Sequence, residues 1–374
     1  MTKAAELAKM GEVITNDQIG GRRNVIINGS QQVAQRATSV SDVGGSQGYF
    51  CTDRFKSTLS GTAARYTVSQ DSDAPAGFSK ALKYDVTTAD TSVAAAEFHA
   101  ISYRAEGQDI SHFEWGTSDA KKCTFSFYAK ATTAQTVVVN FVRATTSGTS
   151  RSVSKAFSIT TSYQRFTFTL PADTGGDAQV ETEDEGLAIH IGFGGGSNFT
   201  GGTINETWED ITNNKRFAGV GNLASSTDNN FFITGIQLEV GSQATPFEHR
   251  SFGEELALCQ RYYYRRKMTS AGLNNEFLSA VYAYGTTDVQ GGQPHPVIMR
   301  AAPSLSFNDT IKITNGSAAA THESSSGFSF TSFSSTDMVS FYTQSGAFSG
   351  LTQHRTYMMY GGAANDFMEV SSEL

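Results

Sequence analysis

Between residues 57 and 250 apolar and polar side chains take turns along the chain with a period of two. No helical period separates the runs. Lys122-Cys-Thr-Phe-Ser-Phe-Tyr-Ala-Lys130 puts Cys123, Phe125 and Phe127 on one face, and runs of the same kind cover 64–70, 81–86, 135–143, 153–159, 164–170 and 187–193. Phe231-Phe-Ile-Thr-Gly-Ile-Gln-Leu-Glu-Val240 closes the series. Alternation there predicts Phe232, Thr234, Ile236 and Leu238 on one face and Ile233, Gln237 and Glu239 on the other. Gly241 ends this strand, and Pro246 cannot donate to a ladder, so the chain leaves the sheet. Roughly eight to ten strands joined by turn residues predict antiparallel pairing and a two-sheet sandwich, of which a jelly roll is the common form.

The flanks read differently. Ala4, Leu7 and Ala8 mark a helical stripe over 2–14, short enough to need a partner surface. Asn24 to Thr38, with an Asn28-Gly29 turn signal, predicts strand, turn and strand. Glu254 to Tyr264 lacks glycine and proline and predicts a short helix or a helix-to-strand bridge. Beyond it, runs at 277–284, 295–303, 304–307, 311–313, 327–333, 338–342 and 355–360 predict a second β unit. The fold class expected is therefore all-β: an antiparallel β-sandwich (jelly roll), then a smaller C-terminal β-sandwich domain, with a short N-terminal helix. The boundaries fall at 1–22 for the helix, 23–55 for a connecting β segment, 56–253 for the jelly roll and 254–374 for the C-terminal domain.

Composition narrows the chemistry. Charged residues make up only 17% of the 374, with 36 glycines and six prolines, which suits short strands and many turns. The net charge of 28 − 36 = −8 speaks against phosphate-backbone binding, so no nucleic acid partner is expected. Cys51, Cys123 and Cys259 are odd in number and widely spaced, which predicts buried reduced thiols rather than a disulfide framework or zinc. No apolar run suggests a signal peptide or a membrane span.

Candidate sites are few. Gly192-Phe-Gly-Gly-Gly-Ser197 lacks the Gly-Lys-Ser/Thr of a phosphate loop and reads as a flexible rim loop. Carboxylates in Glu181-Thr-Glu-Asp-Glu185 form a contiguous run rather than a pair across a cleft, so no catalytic residues, metal or cofactor are assigned. A calcium loop from Asp71, Asp73 or that run matches no defined spacing. Trp115 and Trp208 are the only tryptophans. Sugars stack on aromatic rings while amides and carboxylates bind their hydroxyls. Trp208 with Phe199, Asn205, Glu209 and Asp210 is thus a candidate glycan site, and the competing reading makes both tryptophans core plugs. Tyr342, His354 and Tyr357 are the fallback. Tyr262-Tyr-Tyr264 with its arginines fits a junction or subunit interface.

Three stretches carry a resemblance. Residues 24–55, with the Asn-Gly turn and Val-Ala-Gln-Arg run of Asn24 to Thr38 and with Tyr49-Phe-Cys-Thr-Asp-Arg-Phe55, then 113–130, and 231–303 with its Gln-Arg-Tyr-Tyr and Pro-Val-x-Met-Arg-x-x-Pro combinations resemble tail-fibre or appendage proteins of tailed bacteriophages, with a carbohydrate-binding-module-like jelly roll. Phe55 stands where that family more often has Trp. The resemblance implies a non-enzymatic virion protein of a tail fibre or tail tip, made in the host cytoplasm. It also implies a homotrimer that attaches to other tail proteins through 1–22 and binds a host cell-surface glycan. The alternative is a purely architectural fibre adaptor or capsid decoration without a ligand.

Overall fold

The computed structural model describes residues 23–268, 277–308, 311–316, 321–323, 330–343, 346–361 and 365–374. The helix expected over 2–14 lies outside the described residues. The chain divides into two compact units, one ending at Glu255 and one running Leu256–Glu373.

The first unit is an antiparallel β-sandwich. One sheet has the order β1 (Ser39–Val43), β3 (Arg65–Asp71), β4 (Ala81–Thr88), β12 (Asn230–Val240), β6 (Cys123–Ala131), β9 (Gln164–Leu170). The other has the order β11 (Glu209–Asp210), β8 (Arg151–Ile159), β7 (Gln135–Arg143), β10 (Glu185–Gly195), β5 (Phe98–Glu106), β2 (Lys56–Ser60). Alternation works as expected in β6, where Cys123, Phe125, Phe127 and Ala129 enter the core and meet Val137, Val139 and Phe141 of β7. The three cysteines are buried and none forms a disulfide, and burial pushes the Cys51 thiol up to about 12.

In β12 the alternation breaks. The register shifts between Thr234 and Gln237, and Gly235 sits at φ 61, where only glycine is at ease. The extra residue switches faces, so Phe231 and Ile233 point inward before it and Ile236 and Leu238 after it. Phe232 and Thr234 belong to the opposite face, contrary to the simple period.

Residues 24–38 form no hairpin. Asn28 is fully buried at φ 60, and its side chain bonds the Val33 N–H, the Val33 carbonyl and the Asp53 carbonyl. A Cβ on Gly29 would lie 2.1 Å from the Ile236 carbonyl oxygen, so glycine here allows the segment to press against β12. The Glu248 carboxylate accepts from the Arg23 and Asn24 N–H groups, and Arg250 donates to the Ile26 carbonyl and to Glu255. The two ends of the first unit, far apart in sequence, are thereby clasped together. Glu255 belongs to the helix Phe252–Gln260, which gives way to strand β13 (Tyr263–Lys267).

The second unit has a three-stranded sheet, β13, β22 (Phe367–Ser371), β16 (Ser304–Phe307), and a seven-stranded one: β18 (Thr321–Glu323), β17 (Ile311–Thr314), β21 (Thr356–Gly361), β14 (Ser279–Ala283), β15 (Val289–Pro294), β20 (Met338–Thr343), β19 (Phe330–Ser332). Val281, Ala283, Val289, Val339, Phe341, Tyr357 and Met359 meet Tyr264, Leu305, Met368 and Val370 in its core. The apolar run 295–303 forms no strand, while Gly-rich β15 does.

Candidate functional site

Trp208 is 9% exposed. Its ring packs 5.0 Å from that of Trp115, and its Nε1–H donates to the Pro171 carbonyl at 2.9 Å. The ring is a core ring, and the stacking platform expected in this loop is not on display. Around it Glu209 pairs with Lys215 at 3.0 Å and Asp210 with Arg151 at 3.1 Å, while Asn205 closes its own turn onto Thr207. Phe199 packs edge-on against Phe98, away from Trp208's neighbours. Beneath this loop Arg143, fully buried, and Arg151 share the Asp173 carboxylate at 2.8 and 3.0 Å. Trp208, Glu209 and Asp210 are thus engaged by their own neighbours, Asn205 by its own turn, and Phe199 packs elsewhere, on the outer face of the sheet.

The glycine run 192–197 has a packing role in place of the expected flexible rim. Gly192 and Gly194 lie in β10, where a Cβ would strike the Phe217 ring at 2.7 Å and the His99 ring at 2.9 Å. The excursion from β10 to β12 lays Phe199, Ile204, Phe217 and Val220 over Phe98, Ala100 and Val138, covering the outer face of this sheet. Beside that cover runs a polar row of cross-strand partners, Lys56, Ser102, His190, Asn140 and Ser154. Ser102 Oγ lies 2.7 Å from His190 Nδ1, and Asn140 Nδ2 donates to Ser154 Oγ at 3.0 Å. Burial first, then Arg216, Arg104 and Lys56, hold His190 well below the ordinary imidazole range. Among the described residues no group of His, Cys, Asp and Glu is arranged to hold a metal.

The seven-stranded sheet differs because, among the described residues, its outer face is exposed. Successive residues of a strand point to opposite faces, so Val281 and Ala283 fill the core while Ala280, Tyr282 and the following Tyr284 face out. With Gln290, Gly292, Met338, Ser340, Tyr342 and Thr356 they line a groove of about 780 Å³. Tyr284 is 56% exposed, Phe333 67% and Met338 42%. The Tyr284 and Tyr342 rings meet edge to face at 5.9 Å. Gly292 makes the floor, since a Cβ there would crowd the Met338 methyl and the Ser340 Cβ at 3.3 Å. Tyr342 Oη donates to Asp288 Oδ2 at 3.3 Å, and Asp288 also accepts from Thr287. At the rim His354, at φ 66, is pinned by its N–H to the Ala283 carbonyl, and its Nδ1 lies 2.5 Å from Tyr282 Oη.

Of the fallback trio, Tyr342 lines the groove and His354 stands at its rim. Tyr357 is buried and accepts from the Thr352 N–H. Tyr282, Tyr284, Phe333 and Met338 escaped the sequence reading. The available signal was Val-Tyr-Ala-Tyr at 281–284, where the face opposite the small core residues carries tyrosines instead of charged groups.

The class these features define is an all-β protein with a closed sandwich and an open-faced aromatic sheet. No family model matches the chain, and no curated protein matches it. Among solved structures it is similar to the enzymatically active domain of tailspike protein 4 of bacteriophage CBA120, at 11% identity over 58% of this chain and 21% of that chain, with TM-score 0.31. It is also similar to the family 11 carbohydrate-binding module of a Clostridium thermocellum cellulosomal cellulase, at 11% identity over 55% and 98% of the two chains, TM-score 0.29. The N-terminal cellulose-binding domain of Cellulomonas fimi β-1,4-glucanase C gives 12%, 57% and 100%, TM-score 0.29. At these TM-scores the likeness carries no functional inference.

Proposed function

We propose that the chain is a non-enzymatic structural protein of a tailed-phage appendage, a tail fibre or tail tip, whose C-terminal unit binds a host cell-surface glycan. The observation that carries the binding reading is the open groove with Tyr282, Tyr284 and Tyr342 around a backbone floor. Flat rings flanked by hydroxyl and amide groups suit the apolar faces and hydroxyls of sugars. The virion assignment rests on the resemblance of the 24–55 and 231–303 stretches, as do the homotrimer and attachment to other tail proteins through 1–22. A shallow site gains from several copies, because avidity multiplies weak contacts without new ones.

A second reading, a purely architectural fibre adaptor or capsid decoration, draws support from the first unit, whose tryptophans are in the core and whose β10 sheet is covered by its own chain. The test is cell-surface binding by Tyr284→Ala and Tyr342→Ala. Both side chains sit on an outer face, so the cost to folding should be confined to their ring pair, about 0.5–1.5 kcal/mol, with a similar amount for the bond of Tyr342 to Asp288. Lost binding by a variant that still melts cooperatively supports the groove; unchanged binding by both variants refutes it as the receptor site, and absence of cell-surface binding by the parent chain favours the architectural reading.

A further inference from the structure

The hydrogen-bond polarity and charge of the groove restrict what can occupy it. Ser340 Oγ donates its proton to the Phe333 carbonyl at 3.0 Å, and Tyr342 Oη donates its proton to Asp288 at 3.3 Å. Each hydroxyl has one proton, so both turn lone pairs toward the groove and act there as acceptors. Among the described residues none that lines the groove carries a positive charge, and the Asp288 carboxylate stands behind its wall, bonded by Tyr342. Gln290 and Thr356 keep donors for a ligand's oxygens, but an acidic ligand meets no cation among the lining residues and brings its negative charge toward a carboxylate. A neutral sugar chain brings hydroxyl donors.

The groove also has a direction. Its lining comes from β21, β14, β15 and β20, with Phe333 just after β19. Five adjacent strands at about 4.8 Å spacing span roughly 19 Å, room for several sugar rings in a row and too long for one. Apolar side chains stand toward both ends: Tyr282 on β14 with Tyr284 just after it, and Met338 on β20 with Phe333 just after β19.

We infer that the groove selects a neutral, extended oligosaccharide lying across the strands, and rejects acidic glycans of the same length. This deepens the glycan-binding reading and rests on it. The probe is an array of neutral glycans, from mono- to hexasaccharide, beside uronic-acid-bearing glycans of matching length, applied to the full chain and to Tyr284→Ala. The expected result is neutral binding that strengthens over the first few units and is lost in Tyr284→Ala, with acidic counterparts at least about tenfold weaker at low salt. Asp288→Asn, which removes the charge but keeps the shape, should narrow that gap. Tyr284-dependent binding of acidic glycans as tight as neutral ones would overturn this inference and leave the groove as a glycan site. Tyr284-dependent neutral binding that is as strong for a monosaccharide as for a hexasaccharide would overturn its extended part. Failure of every glycan to bind overturns this inference and the proposed function together.

Discussion

Replacing Trp208 with alanine distinguishes a core ring from a binding platform. The indole is 9% exposed, packs at a tilt 5.0 Å from Trp115 and bonds the Pro171 carbonyl. The ring pair is worth about 0.5–1.5 kcal/mol beyond its burial, and the hydrogen bond about 0.5–1.5 kcal/mol. Loss of transfer energy and the cavity left beside Trp115 bring the total to the usual range of about 3–5 kcal/mol for a buried Trp→Ala change. For a unit of this size each kcal/mol moves the melting temperature by about 2–4 °C, so the shift should be roughly 6–20 °C.

Tryptophan fluorescence is a selective readout, because both tryptophans of the chain lie in the first unit. After the substitution Trp115 alone reports, from the site of the damage. Trp208→Phe should retain most of the ring packing and recover a good part of the loss. Cell-surface binding by the C-terminal groove should survive at temperatures where the first unit is folded. A melting temperature within about 1 °C of the parent, together with lost binding, would refute the core assignment and restore Trp208 as a contact residue.

Asp173→Ala strands two guanidinium groups, one fully buried, and should cost about 3–5 kcal/mol by denaturant unfolding; a loss under about 1 kcal/mol would show that the cluster is solvated in solution. Burial lowers the pKa values of both His99 and His190. Their unfolded value is near 6.5, so protonation favours the unfolded chain, and the stability they contribute above about pH 6.5 is lost as pH falls below it. The limit is about 1.4 kcal/mol per pH unit for each histidine, and His190→Gln should flatten the slope measured by urea unfolding; an unchanged slope would contradict the burial assigned to His190.

Much of the fold was legible because a sandwich writes itself as period two. β6, β7 and β9 follow the pattern, and their aromatic residues fix both register and inward face. The pattern misled where geometry depends on single residues. One glycine in the left-handed region moved Phe232 and Thr234 to the other face of β12, and the alternation alone gives no sign of a bulge. Asn28-Gly29 has the composition of a hairpin turn, yet its partners are Asp53 and Ile236, both remote in sequence. β15 escaped because its glycines carry no hydrophobic signal at all; their role is to give space to Phe341, Val281 and Met338.

The site was less legible for a reason of the same kind. Trp208 drew attention because its neighbours are polar and loop-like, but polar sequence around a ring is also what a capped sandwich end requires: Asp173, Arg143 and Arg151 are there to satisfy buried carbonyls and each other. Local composition cannot separate a ring that greets a ligand from one that closes a core. Strand alternation can. Once Val281 and Ala283 are assigned inward, Tyr282 and Tyr284 have no core left to enter. The same holds for Tyr342 once Val339 and Phe341 are inward. Large rings on the face that solubility would reserve for charge mark the proposed site, and here they surround a glycine floor with the Ser340 and Tyr342 protons already committed. Aromatic residues on the outer face of an alternating strand are therefore what points to the proposed groove in this chain, where rare residues in its loops point into the core.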